Sequence, residues 1–336
     1  MSVSIWSVAC AEPRLDNVLV VIACWAVLWW RFIPWFGRTV VREFVDSRAW
    51  KSRWISMQRS GLKSKAGVEL DEASAYDFAL CFQGVIVQHG LGGLLCVPAM
   101  LGVGPSWLQS TLAVQGCLCE AGWELMDVLT RAWDVAFGGE AGRRRNPRSL
   151  VTVLAFHHSM SLLMSVPVAL YYRDVSAVHE ATFLLQGAAF VASLAQSWAY
   201  TLDLKSREGV VRMRGVSAVV LATMLWSRGV RYAVVTVRVL DAIWRMGSSL
   251  SFAVCLLVCG LMGFLNYNFI ADAARRVQKF WGSPLPPHRQ STSGSAVPTS
   301  SLMRRVSRSL SDAADKALKG VDACSIDAIS SIKKTN

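Results

Sequence analysis

Seven long apolar stretches, separated by charged loops, constrain this chain more than any other feature. They run from Val18 to Phe36, Phe78 to Leu101, Trp107 to about Phe137, Leu150 to Tyr172, Val178 to Leu202, Val216 to Leu240 and Leu250 to Ile270. A helix needs about 20 apolar residues to cross a hydrocarbon core of about 30 Å, and most of the stretches supply them. The third is the most polar, with Glu124, Asp127, Arg131 and Asp134 in its second half. Composition argues against the pair of soluble domains that the length alone would suggest: of 336 residues 53% are hydrophobic and only 17% charged, and mean hydropathy is +0.36. The expected fold class is therefore all-α, a polytopic membrane protein of about seven transmembrane helices. Nothing before the first stretch has the basic start and small-residue cleavage site of a secretory signal, so Val18 to Phe36 is expected to be a retained helix.

Orientation follows from where Lys and Arg fall between the spans. Segments 37–77, 143–148 and 205–214 and the tail after Ile270 together carry 27 of them, against three (Arg14, Arg173 and Arg245) on the opposite side. The expectation is a lumenal N-terminus, a cytosolic C-terminus and an odd number of spans. The net charge of +12 then belongs to cytosolic loops facing anionic lipid, and nucleic acid is not an expected partner.

The chain divides into a lumenal segment with the first helix (1–36), a helical membrane domain (37–281) and a cytosolic tail (282–336). Ser283 to Ser301 is rich in Pro, Ser, Thr and Gly and reads as a flexible linker. Beyond it Leu302, Val306, Leu310, Ala314 and Leu318 recur every four residues among basic side chains, the pattern of a short amphipathic helix lying on a leaflet; a solvated tail is the alternative. Ser307 follows Arg304-Arg305-Val306, a basophilic phosphorylation pattern. Lys333 and Lys334 stand at the third and fourth places from the end, matching the dilysine signal by which coat proteins return membrane proteins to the endoplasmic reticulum. The nine Cys lie mostly singly in apolar segments with no Cys-x-x-Cys pair, which suits small core hydrophobes better than a disulfide framework or a structural zinc site.

An ionisable side chain within a span is expensive and marks a candidate site. Glu124 and Asp127, His157 and His158, Glu180, Arg228, Arg231 and Arg238, and Asn266 and Asn268 qualify. With the topology above, most of them fall in the cytosolic half of the membrane, with Arg228 near its middle. Glu124, Asp127, Arg131 and Asp134 share about 80° of arc on one helix, as do Arg228, Arg231 and Arg238 on another. Such stripes suit either a wet cavity or acid-to-arginine pairs between the third and sixth spans. Adjacent histidines project about 100° apart and so suit a metal poorly, and no metal is expected; a neutral imidazole instead serves as general base or nucleophile.

The segment Arg148-Ser149-Leu150 to Phe156-His157-His158-Ser159-Met160-Ser161-Leu162-Leu163 resembles the His-His helix of TLC-domain proteins, whose best-known enzymatic members are ceramide synthases. Glu124-Leu125-Met126-Asp127 is similar to the family's preceding aspartate-bearing helix, and His179-Glu180-Ala181-Thr182 to the acidic element that follows. Leu225-Trp226-Ser227-Arg228-Gly229-Val230-Arg231 is similar to its penultimate helix and Leu265-Asn266-Tyr267-Asn268-Phe269-Ile270 to its closing one. The resemblance covers about residues 37–281. It implies an endoplasmic-reticulum barrel of helices around a lipid-sized cavity and, as in ceramide synthases, acyl transfer from acyl-CoA to a lipid amine through the two histidines. Ceramide synthases carry an aspartate where this chain has Leu150, and the alternative is a non-enzymatic lipid sensor, transporter or regulator of membrane composition.

On the enzymatic reading His157, His158, Asp127 and Glu124 are the catalytic candidates, with Arg228, Arg231, Glu180 and Asn266 binding lipid. No cofactor is expected beyond acyl-CoA as co-substrate; membrane lipids, coat proteins and a second copy of the chain are the expected partners. A seven-helix receptor fits the topology but lacks that class's motifs in the third and seventh spans.

Overall fold

The computed structural model describes residues 14–286, and these form helices with no strand among them. The amphipathic segment at Leu302 to Leu318, Ser307, Lys333 and Lys334 lie outside the described residues. In chain order the helices are α1 (Leu15–Trp35), a π-helical turn (Phe36–Val41), α2 (Arg42–Asp46), α3 (Lys51–Ala66), α4 (Glu72–Leu101), α5 (Ser106–Phe137), α6 (Gly139–Arg145), α7 (Arg148–Tyr171), α8 (Ser176–Ala199), α9 (Arg207–Met224), a second π-helical turn (Leu225–Val230), α10 (Arg231–Arg245) and α11 (Ser249–Gly282).

Among the described residues six helical stretches are long and apolar enough to cross a membrane: Leu15–Asp46, Glu72–Leu101, Arg148–Tyr171, Ser176–Ala199, Arg207–Arg245 and Ser249–Gly282. The seventh expected span is α5, which has the length, 32 residues, but not the apolarity. Glu120, Glu124, Asp127, Arg131 and Asp134 lower its hydropathy, and it compensates by packing against α1, α4, α7 and α8. The chain is an all-α polytopic membrane protein.

Its burial pattern has the sense a lipid solvent demands. Val27, Leu163, Val237, Leu257 and Phe264 are among the large apolar side chains on the outside. Gln88, Glu124, His158 and Asn266 are each less than 2% exposed. Helix formation pairs the backbone groups within each span, as it must where no water competes, except one turn before Pro34, Pro98 and Pro167, which lack an N–H to give.

Helix ends follow their local chemistry. Asp71 caps α4 by accepting from the Ser74 amide at 2.7 Å, and that hydrogen bond draws its carboxyl below the ordinary aspartate value. Ser206 caps α9 and Ser248 caps α11 in the same way. Gly67 and Gly102 close α3 and α4 in left-handed conformation, φ 66° and 63°, which favours glycine.

Close helix contacts rest on small residues, as association in lipid requires. A Cβ at Gly122 of α5 would come within 2.4 Å of Trp25 Cβ and 2.9 Å of the Ile22 carbonyl on α1. One at Gly116 would sit 2.6 Å from the Gly92 carbonyl of α4. Beside this seam Trp25 stacks on Trp29, and the Trp29 indole donates to the Cys119 carbonyl at 3.1 Å. Gly122→Leu should therefore lower the midpoint of thermal unfolding in detergent, with a cost of at least about 1–3 kcal/mol from overpacking. An unchanged midpoint would show that α1 is not seated on α5 as described.

Candidate functional site

An elongated cavity of about 450 Å³ lies among α4, α5, α7, α8, the second π-helical turn and α9 to α11. On α8 its lining runs from Val178 to Gln196, about 27 Å of helix at 1.5 Å per residue. The arm at the Val178 end is apolar, with Val168, Ala181, Val239 and Val258 in its wall. A polar band crosses the middle, where His89, Glu120, Glu124, His157, Gln186 and Arg228 reach the wall. At the far end Arg276 donates to Asp272 at 3.1 Å and to Gln196 at 3.3 Å.

The histidine pair divides across the cavity wall. His157 lines the cavity and is 30% exposed, whereas His158, the next residue around α7, is 1% exposed and turned towards α5. His158 Nε2 lies 3.1 Å from Asp127 Oδ2, and that carboxylate also accepts from Arg131 Nε at 2.8 Å. Arg131 in turn donates to the Asn146 side chain, and Asn146 to Asp134, whose carboxylate Arg145 grips with both Nε and Nη2. Asp127 thus holds His158 rather than facing the cavity, at the inner end of a polar chain that reaches the loop before α7.

Glu124 occupies the corner between the two histidines. Its Oε1 is 3.6 Å from His158 Nδ1 and 3.8 Å from His157 Nε2, and the side chain is fully buried. Ligand atoms of Glu124, His157 and His158 all lie within 4.8 Å of one another. The 100° separation of adjacent histidines, which argued against a metal, is offset here because a second helix supplies the third donor.

A second cluster, which the sequence reading passed over, sits across Trp123 from the first. Glu120 Oε2 accepts from Gln88 Nε2 and from Gln186 Nε2, each at 2.7 Å, and lies 3.2 Å from His89 Nδ1. The Trp123 ring is 5.6 Å from both His89 and His158. The rule that singled out Glu124 applies equally to Glu120, one turn earlier on the same face, and to His89 within the second apolar stretch.

The other candidates separate. Arg228 lines the cavity, donating to Asn266 Oδ1 at 3.0 Å and to the Leu185 carbonyl at 2.9 Å, so Asn266 stands behind Arg228 rather than in the wall. Glu180 is held by Arg231 and, at 2.8 Å, by Arg238, away from the cavity lining. Arg231 and Arg238 therefore pair with α8 and not with the third span, which was one of the two readings their stripe allowed, because Glu180 at the start of α8 lies beside their turns of α10. Asn268 is exposed and bonds back to the Phe264 carbonyl of its own helix. The described cysteines are all unpaired by disulfides.

No protein-family model matches the chain, and neither a curated protein nor a solved structure does so.

Proposed function

We propose that this protein is a TLC-like membrane acyltransferase that takes a single acyl chain into its cavity and passes it from acyl-CoA to a lipid amine or hydroxyl. One observation carries the reading: an elongated cavity with an apolar arm on one side of a polar band that contains His157, Glu124, Glu120 and Arg228. A tail seated among Val168, Val178, Val239 and Val258 brings its carboxyl carbon towards that band. The carrier of a thioester, with its phosphates, stays at the Arg276 end, on the side of the basic loops.

The chemistry asked of the band is modest. The acceptor's N–H or O–H gives its proton to His157 as the new bond to the acyl carbon forms. The C–S bond then breaks, and the thiolate recovers a proton from the imidazolium. Arg228 lends positive charge at the cavity wall. Asp127 is a positioning residue acting through His158.

The test is purified full-length protein in lipid nanodiscs with labelled acyl-CoA and a set of long-chain amines and alcohols. The reading predicts an acylated acceptor and free CoA in equal amounts. CoA release no faster than in empty discs, with every acceptor, would overturn it. The second reading, a lipid sensor or transporter without turnover, is favoured by the same cavity, and would give tightly held lipid with no thioester cleavage.

The endoplasmic-reticulum membrane is what the TLC resemblance implies, and the Lys and Arg distribution supports an orientation with the last turn of α6, Arg143 to Arg145, cytosolic and Arg173 lumenal. Glycan-acceptor tags should be modified at Arg173 and not at Arg143; the opposite pattern would reverse the orientation.

A further inference from the structure

The corner formed by Glu124, His157 and His158 has more acceptor atoms than donors. Both carboxylate oxygens of Glu124 and the Nδ1 of His158 are buried without a partner in hydrogen-bond geometry, the Ser161 hydroxyl being a neutral donor close to Glu124 but outside that geometry. An ionised Asp127 is acceptor only, so the 3.1 Å contact assigns a hydrogen to His158 Nε2, and in the neutral ring Nδ1 then carries a lone pair. That lone pair faces Glu124 Oε1 at 3.6 Å. Two acceptors facing each other in a dry corner are costly unless something positive lies between them.

We propose that Glu124, His157 and His158 bind a divalent first-row metal ion, zinc being the best match, with its open position towards the cavity. Zinc ligands at about 2.0–2.2 Å in tetrahedral array stand about 3.3–3.6 Å apart. The Glu124 to His158 and Glu124 to His157 separations, 3.6 and 3.8 Å, are near that spacing. The longest separation in the set is at most 4.8 Å, and His157, the most exposed of the three, closes it by turning its ring.

Two further features belong to such a site. Asp127 accepts from the far nitrogen of His158, the arrangement by which metal-bound histidines are fixed in one tautomer. Three protein donors, two imidazoles and a carboxylate, leave a place for a water or a substrate oxygen, and His157 and Glu124 both reach the cavity wall, so that place opens where the acyl carbon is proposed to sit. The inference rests on the proposed function and shares its residues: an ion held there would take up the His157 lone pair and supply polarisation of the acyl carbonyl, and the acceptor's proton would then pass to the departing thiolate instead of by way of His157, leaving the reaction class unchanged.

The experiment uses the full-length chain, stripped with a chelator and titrated with zinc chloride alone. Bound metal is counted by mass spectrometry, and cobalt in a parallel sample reports tetrahedral geometry by its visible absorption. Wild type should take up one ion per chain. Glu124→Gln, which keeps the volume, and His158→Ala should lose it, and Asp127→Asn should weaken it by about 10- to 100-fold. Glu208→Gln, at the exposed pair with Arg212, should bind as wild type.

Monodisperse elution and a cooperative unfolding transition certify each variant; if His158→Ala does not fold, Glu124→Gln decides. Uptake well below one ion per chain by wild type, or equal uptake by Glu124→Gln, overturns the proposal, a proton then bridging Glu124 and His158. Acyl transfer by wild-type protein that takes up no ion would sink the ion and leave the function standing. A loaded protein that cleaves no thioester under any condition would do the reverse.

Discussion

Alanine at His157 is expected to cut acyl transfer by about two to four orders of magnitude, the usual worth of a positioned proton acceptor. His157 is the member of the pair that reaches the cavity, and its 30% exposure means that truncation creates no sealed void. The protein should keep its thermal midpoint and its place in the membrane. His158→Ala differs in kind: it removes a buried ring and leaves Asp127 without its partner, so its loss of activity should come with a loss of stability. The check is CoA release by each purified variant beside its melting curve. A His157→Ala protein retaining more than about a tenth of wild-type turnover would remove His157 from the chemistry.

Tryptophan at Ala181 should have an effect of comparable size on which chain is bound. Ala181 lines the apolar arm at the Val178 end, and an indole there fills space that the end of a long tail would occupy. If about four methylenes are displaced at about 0.8 kcal/mol each, long tails lose about 3 kcal/mol, or about two orders of magnitude in affinity, while short ones lose little. The ratio of kcat/KM for long and short acyl thioesters, measured on both proteins, reads this directly. Equal losses for all chain lengths would mean that the tail lies elsewhere.

The sequence carries the helices well and their partners poorly. Every expected span overlaps a helix of spanning length, because apolar runs long enough to cross a bilayer have few alternatives to helix. The exception in hydropathy, α5, was flagged by Glu124, Asp127, Arg131 and Asp134, and the same residues explain why it needs protein around it. Pairing was not legible. Arg231 and Arg238 share an arc with Arg228, yet they meet Glu180 on α8 while Arg228 turns to Asn266 on α11. Helical phase says which side chains share a face, and nothing in one sequence says which helix that face meets.

The candidate site shows the same division. His157 and His158 stood out by residue type, and the placing of Glu124 and Asp127 one turn apart on another helix agreed with a shared depth. That one histidine reaches the cavity and the other turns to Asp127 depends on how α7 rotates against α5. Glu120 and His89 satisfy the same rule for ionisable groups in spans, but they lie apart from the histidine pair in the sequence, and only the packing of α4, α5 and α8 brings them with Gln88 and Gln186 into one cluster. Trp123 stands between the two clusters, 5.6 Å from both His89 and His158, a place that no residue type or spacing announces.

The central claim is that the cavity holds one acyl chain with its reactive end at the His157 band. Native mass spectrometry of the full-length protein, released from nanodiscs and followed by fragmentation of whatever stays bound, tests it most directly. One single-chain acyl species per protein, shorter or absent in Ala181→Trp, is the predicted result. A protein that flies free of lipid, or carries only double-chain phospholipid in wild type and Ala181→Trp alike, would contradict it.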